Sequence, residues 1–414
     1  MFVCYSRELG AGFSPYIEQI LEIILPLLRF YFHDGVRHAA AATIPQLLNC
    51  VKLAQPSSEY LAKMWQLVTQ KIIEAMMEES DPSYLIQLFM AYYESLEVVG
   101  TNSMDASQME AFTKATISQL EEYKSRLEVR EQGKHGEDYD PEDEEIILEE
   151  EATEEAMLGE LSKAIHTIFK THGVAYLPWF DQLLPIISQL LSLNHPGTKQ
   201  WMICIFDDLV EFTGPASFKY QGHFLQGMIQ SLLDTGADVR QAAAYGIGMC
   251  AQFGGVDYAD ACFAAITPLF QLINAPNARD SDNVYVTENA IAAVTKVCKY
   301  NSSKFDVNTV IPVWFASLPI ENDEEEAPHV YTYLLDLLDA HHPAVLGANN
   351  ENIPKLVSVF TDTLFAAILP AELASRMVNS LKAILGGISD EARNNLWNSI
   401  DVEKRKALSE MGYL

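Results

Sequence analysis

Apolar residues recur at intervals of three and four over most of the 414 positions. From Tyr16 to Tyr31 they fall at Ile17, Ile20, Leu21, Ile24, Leu27 and Leu28, which is one face of a helix. His33-Asp34-Gly35 interrupts the pattern, and Val36 to Leu53 resumes it with Ala39, Ala40, Thr43, Ile44, Leu47, Leu48 and Val51. This predicts a second, antiparallel helix. Each helix is apolar over more of its circumference than one partner can cover, so the pair must stack on further pairs.

The breaks recur at roughly 40 residues, the period of two-helix repeats. They divide the chain into the end of a repeat at 1–10, then units at 11–56, 57–100, 101–173, 174–214, 215–255, 256–301 and 302–347, with a capping unit at 348–414. The 101–173 unit carries an acidic insertion at about 131–155. LPLL at Leu25 to Leu28, LLPII at Leu183 to Ile187 and IPV at Ile311 to Val313 each place a proline inside a first helix, where it removes a backbone donor and bends the axis. DGVRHAAA at Asp34 to Ala41 and DVRQAAA at Asp238 to Ala244 share a further string, with Asp234 six residues before Arg240. Small alanines let the second helix pack closely, while Asp34, Arg37, Asp234, Asp238 and Arg240 form a structural ladder from repeat to repeat. Period and string together predict an all-α fold, an α-solenoid of HEAT repeats.

Composition narrows the function. A content of 49% hydrophobic residues supports a buried core along most of the chain. The balance of 27 basic against 57 acidic side chains, a formal charge of -30, repels nucleic acid and anionic membranes and favours basic partners. Six scattered cysteines without a CxxC pair fit a reducing compartment. The apolar stretches Ile17 to Phe32 and Val174 to Leu193 are broken by Glu22, Pro26, Arg29, Asp181, Pro185 and Gln189, so no transmembrane helix is expected. Arg7 and Glu8 stand where a signal peptide would be apolar, and the opening reads instead as the second half of a helix cut from a longer protein.

No catalytic or cofactor signature emerges, and an enzyme is not expected. There is no GxxxxGK[ST] phosphate loop and no HExxH pair. Gly246 and Gly248 in YGIGMC lie within a predicted helix, not after a strand, so they permit close helix contact and do not form a dinucleotide turn. Asp138, Asp140 and Glu142 alternate as in a calcium loop, but the glycine required at the sixth position is missing. His33, His38, His341 and His342 lack a metal-ligand arrangement, and no metal or cofactor is predicted.

DGVRHAAA, LPWFDQLLP at Leu177 to Pro185, CIFDDLVE at Cys204 to Glu211, and PASFKY followed by VRQAAAYGIGMCAQFGG resemble the importin-beta superfamily, in its karyopherin beta three (importin five) branch. The resemblance runs in order along the whole chain and corresponds to the C-terminal portion of a longer receptor. It implies a superhelical arch of HEAT repeats whose second helices line the concave surface. It also implies a nuclear import receptor for basic cargo, shuttling between cytoplasm and nucleus through the pore. Implied partners are Lys/Arg-rich cargo, Ran-GTP mainly through N-terminal repeats outside this sequence, and nucleoporin phenylalanine-glycine repeats. A HEAT scaffold for assembling a complex, without a transport role, is the alternative reading.

Two acidic features are the candidate sites. Glu94 and Glu97, then Asp207, Asp208 and Glu211, then Asp336 and Asp339 recur near the ends of second helices, with Glu288 in a corresponding helix. Spacings of three and four put each set on one face. Carboxylates at a helix C-terminus are disfavoured by roughly 0.3–1 kcal/mol, so helix propensity does not explain them. They are either a cargo-binding stripe or a solvated face. The second feature is an acidic loop comprising Asp138, Asp140, Glu142, Asp143, Glu144, Glu145, Glu149, Glu150 and Glu151, mobile to about Glu145 with its later part joining the next helix. It is either a solvating spacer or a decoy that steers basic segments. Trp179, Trp201 and Trp314 could hold a lysine stem, although their apolar surroundings favour packing.

Overall fold

The computed structural model describes residues 2–54, 58–134, 144–193 and 195–413. They form two compact units, Met1–Thr213 and Gly214–Leu414. The first unit contains α1 (Phe2–Leu9), α2 (Ile17–Leu27), α3 (Asp34–Leu53), α4 (Ser58–Glu78), α5 (Pro82–Val99), α6 (Ala106–Lys134), α7 (Glu144–His172), α8 (Leu177–Ser192) and α9 (Pro196–Thr213). Helices α3, α5, α7 and α9 pack side by side in chain order, and α4, α6 and α8 form a parallel row beside them. Each helix is thus covered by its own partner and by the flanking pairs, which accounts for its broad apolar circumference. Trp65, Tyr92 and Phe112 illustrate the packing. All three are buried, and the Tyr92 and Phe112 rings stack at 4.6 Å.

The second unit contains α10 (Gln221–Ser231), α11 (Ala237–Phe253), α12 (Ala259–Ile273), α13 (Val284–Tyr300), α14 (Ile311–Ala316), α15 (Ala327–Asp339), α16 (Pro343–Leu346), α17 (Ile353–Ala366), α18 (Ala371–Gly386), α19 (Asp390–Ser399) and α20 (Val402–Glu410). Helices α11 and α13 make its most extensive contact, and α13 continues onto α15. A β-carbon on Gly248 of α11 would stand 3.1 Å from the Lys296 side chain of α13, so the missing side chain makes room for that lysine.

Local sequence explains the joints. Asp81 caps α5 by accepting from the Ser83 amide at 3.0 Å, and Pro82 occupies the first turn, where its missing donor costs nothing. Gly173, Gly214 and Gly255 have φ of +51°, +56° and +83°, and each follows or nearly follows a second helix. In this left-handed region a β-carbon is strained, so glycine turns the chain directly into the 3-10 turn that opens the next first helix.

Several sequence expectations need correction. The first predicted helix is shorter than Tyr16–Tyr31: a 3-10 turn occupies Gly10–Tyr16, and α2 stops at Leu27, just after Pro26. Pro312 sits in the first turn of α14, where it is tolerated without bending a helix interior. Val256–Ile273 is long and apolar enough to pass a length and hydropathy test for a membrane span. It contains Pro268 and directs Cys262, Ala265 and Leu269 into the packing with α11 and α13, as a core helix does.

Candidate functional site

Arg37 on α3 is nearly buried and bonds Asp34 of its own helix at 3.1 Å. Its guanidinium also reaches forward to Glu79 at 2.5 Å and Asp81 at 3.4 Å, in the α4–α5 turn of the next pair, and lies 4.3 Å over the Tyr84 ring. Glu79 further accepts from the Ser80 and Asp81 amides at 3.0 and 2.9 Å. Arg240 on α11 is built differently. It donates to the backbone carbonyls of Asp234 and Thr235, both at 2.8 Å, and to the Asn283 side chain before α13 at 2.5 Å. Asp234 is therefore held by its carbonyl, while its carboxylate accepts from the Gly236 amide. Asp238 is exposed in the first turn of α11, where a negative charge favours the helix N-terminus.

The candidate acidic stripe divides in three. Glu94 is half-buried and Glu97 is exposed on α5, near Glu160 of α7, which accepts from the Tyr93 hydroxyl at 2.9 Å. Burial, then the neighbouring Glu97 and Glu160 charges, push the Glu94 carboxyl above its ordinary range. Asp336 and Asp339 on α15 are exposed and share the Arg376 guanidinium of α18 at 2.9 and 2.6 Å. The third group faces inward.

Asp207 is only 2% exposed, and among the described residues neither of its carboxylate oxygens has a hydrogen-bond partner. Burial, then Asp208 and Glu211, hold its pKa well above the usual value, which favours the neutral acid in the fold. Asp208 is also buried, and it bonds the His166 ring of α7 at 2.7 Å. Burial opposes the charged imidazole, but the Asp208 contact outweighs it and raises the His166 pKa. Glu211 is half-buried one turn further on.

Glu288 is likewise not a surface residue. It is fully buried on α13 and accepts from the amides of Glu321, Asn322 and Asp323 at 2.8–2.9 Å, pinning the α14–α15 turn. The expectation of accessible carboxylates at Asp207, Asp208 and Glu288 is thus overturned. Spacing assigns residues to a common face, but that face of α9 and α13 is covered.

The acidic insertion also differs from expectation. Asp138, Asp140, Glu142 and Asp143 lie outside the described residues. Glu149, Glu150 and Glu151 join the next helix as expected, but that helix begins earlier, so Glu144 and Glu145 already lie in the first turn of α7. Carboxylates favour a helix N-terminus, which offsets their mutual repulsion there. Glu151 and the buried Glu154 face Arg130, and Arg126 also bonds Glu154. Trp314 is buried and donates from Nε1 to Thr295 Oγ1 at 2.8 Å, whereas Trp179 and Trp201 are half-buried. Trp201 lies against Gly159, whose added β-carbon would meet the ring at 2.9 Å.

Buried charge partners escaped sequence reading. Lys296 and Glu326 pair at 2.7 Å, both nearly inaccessible, and Glu79 and Glu154 each serve arginines from another helix. Arg126 and Arg130, four apart on α6, could have signalled a shared acid, but their partner lies on the next helix, beyond the reach of local spacing. Among the described residues no group of three or more histidine, cysteine, aspartate or glutamate side chains could hold a metal ion.

Residues 84–193 match the family described as Importin repeat 6, and residues 323–378 match Importin repeat. Importin subunit beta-3 of Saccharomyces cerevisiae is 32% identical over 389 residues, covering 92% of this chain and 35% of the relative. A probable importin-5 homolog of Dictyostelium discoideum is 26% identical over 353 residues, 78% of this chain and 32% of that protein. Kap121p bound to Ste12p superposes with a TM-score of 0.82 at 27% identity over 99% of this chain and 36% of that one. Kap121p bound to RanGTP gives 0.81 at 26% over 100% and 36%, and Kap121p bound to Nup53p gives 0.80 at 27% over 99% and 36%. The chain spans about a third of the length of the relatives it matches. Importin repeats, in-order likeness to importin beta-3 and superposition on Kap121p together make the chain a HEAT-repeat member of the importin-beta superfamily.

Proposed function

We propose that this chain is part of a nuclear import receptor and holds Lys/Arg-rich cargo segments on carboxylates of its second helices. The observation that carries this reading is the crowding of Glu94, Glu97 and Glu160 on α5 and α7. Glu94 is raised by burial and by its two acidic neighbours, a repulsion that a bound cation relieves. Asp336 and Asp339 support the same chemistry, since two acids three residues apart hold one guanidinium there. An excess of 30 negative charges steers basic segments toward such sites. The chain acts by binding, not catalysis. Kap121p bound to RanGTP and to Nup53p supports a shuttling cycle between cytoplasm and nucleus in which Ran-GTP and nucleoporin phenylalanine-glycine repeats engage the full receptor.

The test titrates a labelled Lys-rich peptide into wild type and Glu94→Gln/Glu97→Gln by fluorescence anisotropy at several salt concentrations. Affinity is expected to fall with salt, and to fall by about threefold for each exposed carboxylate neutralised. Salt-independent binding, or unchanged affinity in the double variant, removes the second-helix acids from the cargo site.

A further inference from the structure

A groove of about 660 Å³ opens between the start of α5, the end of α6 and the first turns of α7. Its walls carry exposed apolar side chains: Val129 is 66% and Ile146 57% accessible, close to Pro82. Its charged lining is four acids, Asp81, Glu149, Glu150 and Glu154, against two arginines, Arg126 and Arg130. Both arginines are spent on the buried Glu154, with Glu122 and Glu151 as further acids near them. Glu149 and Glu150 are exposed, and among the described residues neither forms an ion pair. The groove therefore presents an apolar wall beside uncompensated negative charge.

We infer that this groove docks a cationic peptide segment carrying one apolar anchor, such as Leu, Phe or Trp between lysines or arginines. The anchor lies against Val129 and Ile146 and removes their exposed surface from water. The flanking cations face Glu149 and Glu150, whose free carboxylates exclude an acidic segment by like-charge repulsion. Purely polar basic segments gain the second contribution and lose the first. This site lies apart from Glu94 and Glu97 and reads a different feature of the ligand. It rests on the proposal that the chain binds basic segments, and adds selection by an apolar residue.

The experiment compares two labelled peptides, one Lys-rich with a central Trp and the same peptide with Ser in its place, by anisotropy on the full chain. The receptors are wild type, Val129→Ser/Ile146→Ser, Glu149→Gln/Glu150→Gln, and Glu372→Gln/Glu391→Gln as an exposed acidic pair outside the groove. Thermal unfolding confirms that the altered positions, all exposed, leave the fold intact. The Trp peptide is expected to bind about tenfold more tightly than the Ser peptide to wild type. That preference disappears in Val129→Ser/Ile146→Ser and persists in Glu372→Gln/Glu391→Gln, while Glu149→Gln/Glu150→Gln weakens both peptides and flattens the salt response. Equal binding of the two peptides to wild type, or an anchor preference indifferent to the groove substitutions, overturns the groove while leaving basic-segment binding standing. Failure of both peptides to bind wild type overturns both.

Discussion

Arg37→Met tests whether repeat-to-repeat cohesion rests on a buried guanidinium. The replacement keeps an unbranched apolar side chain and removes the charge. It leaves Glu79, about as buried as Arg37, with only the Ser80 and Asp81 amides for its carboxylate. Orphaning one member of a buried pair costs roughly 3–5 kcal/mol. The two remaining amide bonds argue for the lower end, and loss of the cation over Tyr84 adds a further ~0.5–2 kcal/mol. A destabilisation of about 3.5–5 kcal/mol is therefore expected. Urea unfolding followed by circular dichroism measures it, and hydrogen exchange localises the loosening to α3 and α5, since stacked repeats need not unfold as one unit. Arg37→Met/Glu79→Gln removes the stranded charge as well and is expected to recover to within about 1–2 kcal/mol of wild type. A single variant less than about 1 kcal/mol down, or a double variant as damaged as the single, would refute the buried-charge reasoning.

Two further predictions follow from the corrected acidic residues. Burial, then Asp208 and Glu211, raise the folded pKa of Asp207 well above that of its unfolded carboxyl, which ionises near pH 4. The folded state therefore binds the extra proton, so this group makes stability fall as pH rises from the unfolded pKa toward the higher folded one. Asp207→Asn is expected to unfold at higher temperature than wild type at neutral pH and to show a flatter melting temperature between mildly acidic and neutral pH; an unchanged slope shows that Asp207 is not the group responsible. Glu288→Ala strands three backbone donors of the α14–α15 turn, each costing on the order of 1–3 kcal/mol if water does not replace the carboxylate. Amides of residues 321–323 should exchange faster while Lys-rich peptide affinity stays unchanged, and a selective loss of peptide binding instead would return Glu288 to the binding surface.

The helix periods were legible because each repeat buries a broad apolar stripe, and three-and-four spacing records that stripe directly. Asp34–Ala41 and Asp238–Ala244 were legible as a shared string, but the atoms that use it differ. Arg37 takes acids from the next turn, whereas Arg240 takes backbone carbonyls and Asn283. Side-chain reach across a turn depends on its path, which periodicity does not encode. Glu97 and Glu288 look alike in sequence as helical acids, yet one is exposed and the other caps three amides. What separates them is how the following turn folds back, a long-range contact with no local signature. The start of α7 was obscured because dense like charge argues against a helix, while the helix N-terminus and the two α6 arginines argue for one.

The left-handed glycines at 173, 214 and 255 leave almost no chain between a second helix and the turn that opens the next repeat. The connection inside each pair is free to vary instead: three residues separate α4 from α5, nine separate α6 from α7, and ten separate α12 from α13. At these repeats insertions and deletions are therefore tolerated at the connection inside the pair and not at the glycine joint. That connection can acquire new segments between related chains without disturbing the stacking, and a peptide tag or reporter domain spliced into these proteins belongs there, not at the glycine joints.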